Sequence, residues 1–271
     1  MTPITWLVEP EAFGVGYSAF TNAIEVAGHR IIHWRDDWWF DGRVPRLGDS
    51  PAVFHGSLGN ADRIARELPW QPGAFCRTEA FLCSAWYPMA RAWLAHDRWV
   101  HTTAAAFVAA PDVVATELAA EGRVFVRPDS PLKPFSGRVC QLEGISLGAL
   151  DHGFYYDDPN LPVVVAPVRA IGEEWRFVVA NGRVVAGSGY EASRRAQVQP
   201  GAERAAARAQ EIADVLEAPE AVYVLDLADC DGELRLLELN PFSGADLYGC
   251  DPDAVVAAVS GVAESYAPLR T

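Results

Sequence analysis

The stretch YVLDLADCDGELRLLELNPFSG, residues 223–244, decides how the rest of the chain is read. Asp231-Gly232 at its centre is a short hairpin turn, because both positions of such a turn need positive φ. The spacing predicts one strand over 221–227 and a second over 233–239. Glu238 and Asn240 are two residues apart and therefore share a sheet face, while Leu237 and Leu239 point to the other. Asp226 lies on the partner strand. Two carboxylates and an amide oxygen converging at a strand end form an oxygen-only set of the kind Mg²⁺ takes when it bridges nucleotide phosphates. Read instead as a solvated strand face, the same residues leave the Phe242-Ser243-Gly244 turn that follows them as a coincidence.

Working outward, Asn181-Gly182 marks another hairpin, 174–180 with 183–187. A helix over 202–217 separates the two hairpins, and a helix over 253–266 follows the second. Upstream, 123–127 (RVFVR) and 138–142 (RVCQL) read as strands. The loop PDSPLKPFSG between them is rich in Pro, Ser and Gly and reads as mobile. Arg127 is expected at the mouth of its strand. Lys133, in the loop, is the only lysine; every other basic residue is arginine, a bias that GC-rich codons explain for the arginines but not for the lysine left over. A lysine ammonium and the N–H groups of a Ser/Gly turn suit a polyphosphate, although a surface loop with an incidental cation fits equally. The apolar run Leu161 to Val168 could offer backbone groups to an adenine edge, with Glu174 for ribose hydroxyls and Arg176 for phosphate. A buried strand followed by a charged hairpin is the plainer account of that run.

The first 122 residues have a different texture. Strands at 4–8, 29–34 and 52–55 alternate with helices at 17–27, 60–67, 84–96 and 111–122, which predicts parallel α/β structure. Gly14-Val15-Gly16-Tyr17-Ser18-Ala19 matches GxGxxA, with Asp36 and Asp37 downstream. Five residues separate the strand end from Gly14, whereas dinucleotide-binding glycines sit on the turn itself, so NAD is not expected. A formal charge of −14 and a pI near 4.8 argue against a nucleic-acid partner. Five scattered cysteines, the lack of a basic leader and the lack of a long apolar run predict a reducing cytoplasm, no disulfide framework and no membrane anchor.

The order of these parts resembles the ATP-grasp superfamily over about residues 123–250. The most specific stretches are ELRLLELNPFSG and YVLDLAD, and FVRPDSPLKPFSG and EEWRFVV are similar to a small prokaryotic branch. The resemblance implies an α/β plus α+β chain, with an N-terminal Rossmann-like lobe over 1–110 and ATP-grasp lobes over 111–271 that hold ATP between them. It implies ATP and Mg²⁺ as cofactors, and a ligase that activates a carboxylate as an acylphosphate for attack by an amine, on small-molecule or peptide substrates. Carried over by position, Arg127 and Lys133 meet phosphate, Ala166 to Val168 form the adenine hinge and Glu174 takes ribose. Arg176, with Lys133, stabilises the transferring phosphoryl. Asp226, Glu238 and Asn240 hold Mg²⁺. The departure is arginine at 127, where many members have lysine. A kinase of the same fold and a nucleotide-responsive binder without turnover are the alternatives. Substrate pocket candidates are His55-Gly56-Ser57, Ser188, Tyr190, Arg194 and Arg195. Oligomeric state is open, a homodimer among the options.

Overall fold

The computed structural model describes residues 3–13, 16–189 and 202–267. In chain order it has β1 (Thr5–Val8), α1 (Tyr17–Val26), β2 (Arg30–His33), α2 (Trp38–Asp41), β3 (Ala52–His55), α3 (Leu58–Glu67), β4 (Pro72–Gly73) and α4 (Cys83–Ala90). Next come β5 (Val100–Thr103), α5 (Ala104–Ala109), α6 (Pro111–Leu118), β6 (Arg123–Pro128), β7 (Arg138–Gln141) and β8 (Pro162–Pro167). The remainder is β9 (Glu174–Ala180), β10 (Arg183–Gly189), α7 (Ala202–Val215), β11 (Val222–Cys230), β12 (Glu233–Pro241) and α8 (Pro252–Glu264). These elements form two compact units. The first comprises Met1–Arg77, Glu173–Ala228 and Leu237–Thr271; the second comprises Thr78–Gly172 and Asp229–Leu236.

The first unit contains the parallel sheet β2-β1-β3-β4 expected of the N-terminal segment. Strand β1 is buried along its whole length, as the central strand of a covered parallel sheet should be. A short 3-10 turn, Pro10–Ala12, follows β1 and precedes α1, whose N-cap is Gly16. The GxGxxA motif therefore does not sit directly on the strand end; its Gly14 and Val15 lie outside the described residues. The same unit contains the sheet β10-β9-β11-β12. Both hairpin turns have the expected positive φ, at Asn181 and Gly182 and at Asp231 and Gly232. Helix α8 starts on an Asp251 cap that accepts from the Asp253 and Ala254 amides, with Pro252 in the first turn. It buries Val255, Val256, Val259 and Val262 in a core that also takes Trp6, Phe20 and Phe242.

The second unit is built on the antiparallel sheet β5-β8-β6-β7. Its core gathers Phe107, Leu118, Val124, Val126, Phe135 and Val163. Several boundaries differ from the expected ones. The helix expected over 84–96 ends at Ala90. The chain beyond it pairs with the foot of β12 through Leu236 N to Trp93 O and Ala95 N to Leu236 O. The helix from Pro111 stops at Leu118, where Ala119 turns left-handed at φ 50°. Strand β5 and helix α5 are additional to the sequence reading.

Candidate active site

The candidate residues divide between the units. The second holds Arg127, Lys133, Ala166 and Val168; the first holds Glu174, Arg176, Asp226, Glu238 and Asn240.

In the first unit, the register of β9 and β11 sets Asp226 directly opposite Arg176. The pairing is bidentate, with Arg176 Nε donating to Asp226 Oδ1 at 2.8 Å and Nη2 to Oδ2 at 2.7 Å. Nη1 donates to the Asp246 carbonyl at 2.7 Å, and the guanidinium lies 4.7 Å from the centre of the Tyr248 ring. Only 5% of Arg176 and 6% of Asp226 is exposed, so the ion pair is buried. From β12, Asn240 Nδ2 donates to Asp226 Oδ2 at 3.0 Å and to Glu238 Oε2 at 2.9 Å. The three expected metal-site residues thus meet through one amide nitrogen. Leu239, on the other face, is buried; Leu237 is only half-buried.

Charge tests whether Mg²⁺ suits this place. Glu174, Asp226 and Glu238 set three carboxylates against one guanidinium. Burial raises the Glu174 pKa, and the carboxylates of Asp226 and Glu238 raise it further, against the opposing pull of Arg176. A divalent cation offsets that surplus of negative charge, and two carboxylates with an amide oxygen are ligands Mg²⁺ accepts alongside phosphate. Among the described residues no group of three or more His, Cys, Asp or Glu forms a protein-only metal cage. Mg²⁺ in nucleotide sites needs no such cage.

In the second unit, β6 runs through Arg127 to Pro128, and Arg127 is 9% exposed rather than pointing clear of the strand mouth. Lys133 is exposed, with a left-handed backbone at φ 51°. Its amide donates to Ser130 O, closing a turn. The loop that reads as mobile is anchored on both sides of this turn. Asp129 accepts from the Ser84 amide at 2.6 Å and the Ser84 hydroxyl at 2.8 Å, and Phe135 is buried in the core. Gly137 packs so closely that a Cβ there would lie 2.7 Å from Phe125 Cζ. The expected hinge begins in β8, where Ala166 pairs with Phe125 on β6. On the β5 side the pairing stops at Val165, so Ala166 to Val168 run past the end of β5.

Sequence reasoning missed several polar groups. His96 stacks on Phe125 with ring centres 5.3 Å apart and donates to the Pro167 carbonyl beside the hinge. Burial, helped by the charges of Arg127 and Arg169, pushes its pKa down to about 4, so the ring is neutral. In the first unit, buried Glu9 accepts from the Ser57 amide, the Ser57 hydroxyl and Asn60 Nδ2 on the single oxygen Oε2. Their partners lie far away in sequence, and no motif announces them. Of the pocket candidates, His55, Gly56 and Ser57 line a cavity of about 320 Å³ with Phe13, Asp246 and Leu247. The Ser188 hydroxyl accepts from the Gly249 amide. Tyr190, Arg194 and Arg195 lie outside the described residues.

A carboxylate–arginine–amide cluster on an antiparallel sheet, in a chain that opens with a parallel sheet, is the framework of an ATP-grasp protein. A family model for the ATP-grasp domain, the second family of its clade, matches residues 98–258, more than half of the chain, and the chain belongs to that family. Solved structures share the fold. D-cycloserine synthetase DcsG aligns with a TM-score of 0.65 and 18% identity, over 97% of this chain and 99% of that one. A RimK domain ATP-grasp protein from Sphaerobacter thermophilus aligns with a TM-score of 0.60 and 13% identity, over 95% and 100%. The ATP-grasp ligase PsnB, complexed with its minimal precursor, Mg and ADP, aligns with a TM-score of 0.54 and 14% identity, over 97% and 98%. Identities this low speak for the fold alone. No curated protein matches in sequence. Among the described residues no helix is long and apolar enough to cross a membrane.

Proposed function

We propose that this protein is an ATP- and Mg²⁺-dependent ligase that activates a carboxylate as an acylphosphate and joins it to an amine. The observation that carries the reading is the surplus of negative charge on Glu174, Asp226 and Glu238, organised by Asn240 and balanced only in part by Arg176. In this reading Asp226, Glu238 and Asn240 hold Mg²⁺, which when bound supplies neutralisation of phosphate charge. Arg127 and Lys133 contact phosphate, Ala166 to Val168 receive adenine, and Glu174 takes ribose hydroxyls. Residues 1–110 act as the N-terminal lobe and 111–271 as the nucleotide-holding lobes, at work in the cytoplasm.

A substrate carboxylate oxygen attacks the γ-phosphorus, the bond to the β-bridging oxygen breaks, and ADP leaves. The amine lone pair then attacks the acyl carbon, phosphate departs with the bonding pair, and the nitrogen loses a proton. Such a sequence relies on positioning and charge neutralisation and needs no side-chain nucleophile. Arg176 contributes by fixing both oxygens of Asp226 and by placing positive charge beside the transferring group. DcsG is by name a synthetase and PsnB by name a ligase, which supports ligation over a fold-sharing kinase.

The test is ADP release across a panel of amino acids and peptides with hydroxylamine as a trap. Carboxylate-dependent hydroxamate formation is the expected result. A stable phosphorylated product without hydroxamate would assign a kinase instead, and no ADP release with any substrate would point to a binder.

A further inference from the structure

The cavity beside His55 belongs wholly to the first unit. His55 is only 3% exposed, and its Nδ1 is a buried atom with no hydrogen-bond partner among the described residues. The ring's other nitrogen, Nε2, is the one that donates to the Phe242 carbonyl, which fixes the tautomer and leaves Nδ1 as a bare acceptor. Phe13, Phe20 and Phe242 pack around the ring with centres 4.8–5.3 Å away. Burial holds its pKa down at about 3, so Nδ1 keeps its lone pair at neutral pH.

The other polar groups at the cavity are also acceptors. The Ser57 hydroxyl gives its proton to Glu9, leaving oxygen lone pairs. Asp246 contributes a carboxylate. The backbone N–H groups of Gly56, Ser57 and Ala245 are already committed, to Ser243 O, Glu9 Oε2 and Phe242 O. Behind Ser57 stands the Glu9 carboxylate, 6% exposed and, among the described residues, without an ion-pair partner. A ligand carboxylate would meet only lone pairs and like charge here, whereas a ligand N–H would meet unfilled acceptors. Phe13, Ala245 and Leu247 give the cavity apolar wall, and its volume of about 320 Å³ limits the guest to roughly amino-acid size. Asp246 also accepts Arg176 through its carbonyl, which places the cavity beside the acid cluster.

We propose that this cavity is the binding site for the amine substrate, a small primary amine whose N–H groups are received by His55 Nδ1, Ser57 and Asp246, with no carboxylate seated there. The proposal rests on the ligase reading but is tested by binding rather than turnover.

The wild-type chain is titrated without ATP, using glycinamide, serinamide and leucinamide as amines with blocked carboxyls. N-acetylglycine and N-acetylserine are the matched carboxylates with blocked amines. The expected results are saturable binding of the amides alone and a shift of the His55 Nδ1 resonance in ¹⁵N-edited spectra. His55→Phe keeps a planar ring but removes the acceptor, and should weaken amide binding about tenfold or more. A circular dichroism melt monitors its fold. If His55→Phe does not fold, the wild-type Nδ1 resonance decides. Binding of the acetylated carboxylates with no amide binding, or an unmoved Nδ1 resonance at amide saturation, would overturn the proposal. Amide binding without ADP release under any condition would leave the cavity assignment standing and remove the ligase reading. Hydroxamate formation without amide binding would do the reverse.

Discussion

Asp226 receives two hydrogen bonds from Arg176 and one from Asn240, and so stands at the centre of the acid cluster. Its loss and the loss of Glu238 should therefore differ in kind. Asp226→Ala strands a buried guanidinium, and breaking a buried pair from one side typically costs about 3–5 kcal/mol. The expected outcome is a markedly lower melting temperature along with lost turnover. Glu238 is only half-buried and accepts from Asn240, whose amide its glutamine isostere can still meet. Glu238→Gln should keep a near-native melt while losing most ADP release; a variant with native kcat would remove Glu238 from the metal site. Lys133 gives a third pattern. It is exposed on its turn, so Lys133→Ala should melt like the wild type. If the ammonium meets phosphate, its loss removes a charge-assisted contact of roughly 1.5–3 kcal/mol, about tenfold to a hundredfold or more in kcat/KM for ATP. Lys133→Arg should fall between, since a planar fork does not replace a compact ammonium. Unchanged kcat/KM in Lys133→Ala would make the lysine a surface residue and nothing more.

Among the elements, the turn into α3 is the tightest place near the cavity. A Cβ on Gly56 would lie 2.5 Å from both Cβ and Oε2 of Glu9 and 2.6 Å from Phe54 Cζ. Glu9 is tied to Ser57 and Asn60 and cannot withdraw without breaking those bonds. Gly56→Ala should therefore cost about 1–3 kcal/mol by overpacking, read as a melting temperature several degrees lower. A wild-type melt would mean that Glu9 has room to move. Local chemistry made some elements legible in advance. Asn181-Gly182 and Asp231-Gly232 announce their hairpins because the φ requirement falls on the two residues themselves. The Glu238–Asn240 pairing was legible for a similar reason, since the strand period alone puts both on one face. What the sequence concealed depends on partners far along the chain. The helix expected to reach residue 96 yields after Ala90 because Trp93 and Ala95 bond to Leu236. Strand β5 exists because β8, some sixty residues on, pairs with it. The opposition of Arg176 and Asp226 is a register between strands separated by α7, and the partners of Glu9 lie on α3 and the turn before it; no spacing rule reaches either.

For the whole molecule, the question is which nucleotide the chain recognises, and charge gives the means of asking it. With −14 overall and three carboxylates at the candidate site, free ATP brings more negative charge to an already negative protein. Mg²⁺ changes the sign of that encounter by lowering the ligand's charge and offering the carboxylates a partner. ATP with Mg²⁺ should therefore stabilise the fold far more than ATP with EDTA. At a hundred times Kd, binding to the folded state alone adds about 2.7 kcal/mol. For a chain of this size each kcal/mol raises Tm by roughly 2–4 °C, so the shift should be several degrees and easily seen. NADH should give none, because the glycine motif lies beyond a 3-10 turn and not on the end of β1. Glu238→Gln should reduce the Mg²⁺-dependent part of the shift while leaving the unliganded melt in place. Differential scanning fluorimetry with the three ligands on both proteins provides the comparison. A shift with NADH and none with Mg-ATP would move the nucleotide to the N-terminal sheet. An ATP shift indifferent to EDTA would detach the acid cluster from the metal, and would leave its surplus charge to be matched by a cationic substrate instead.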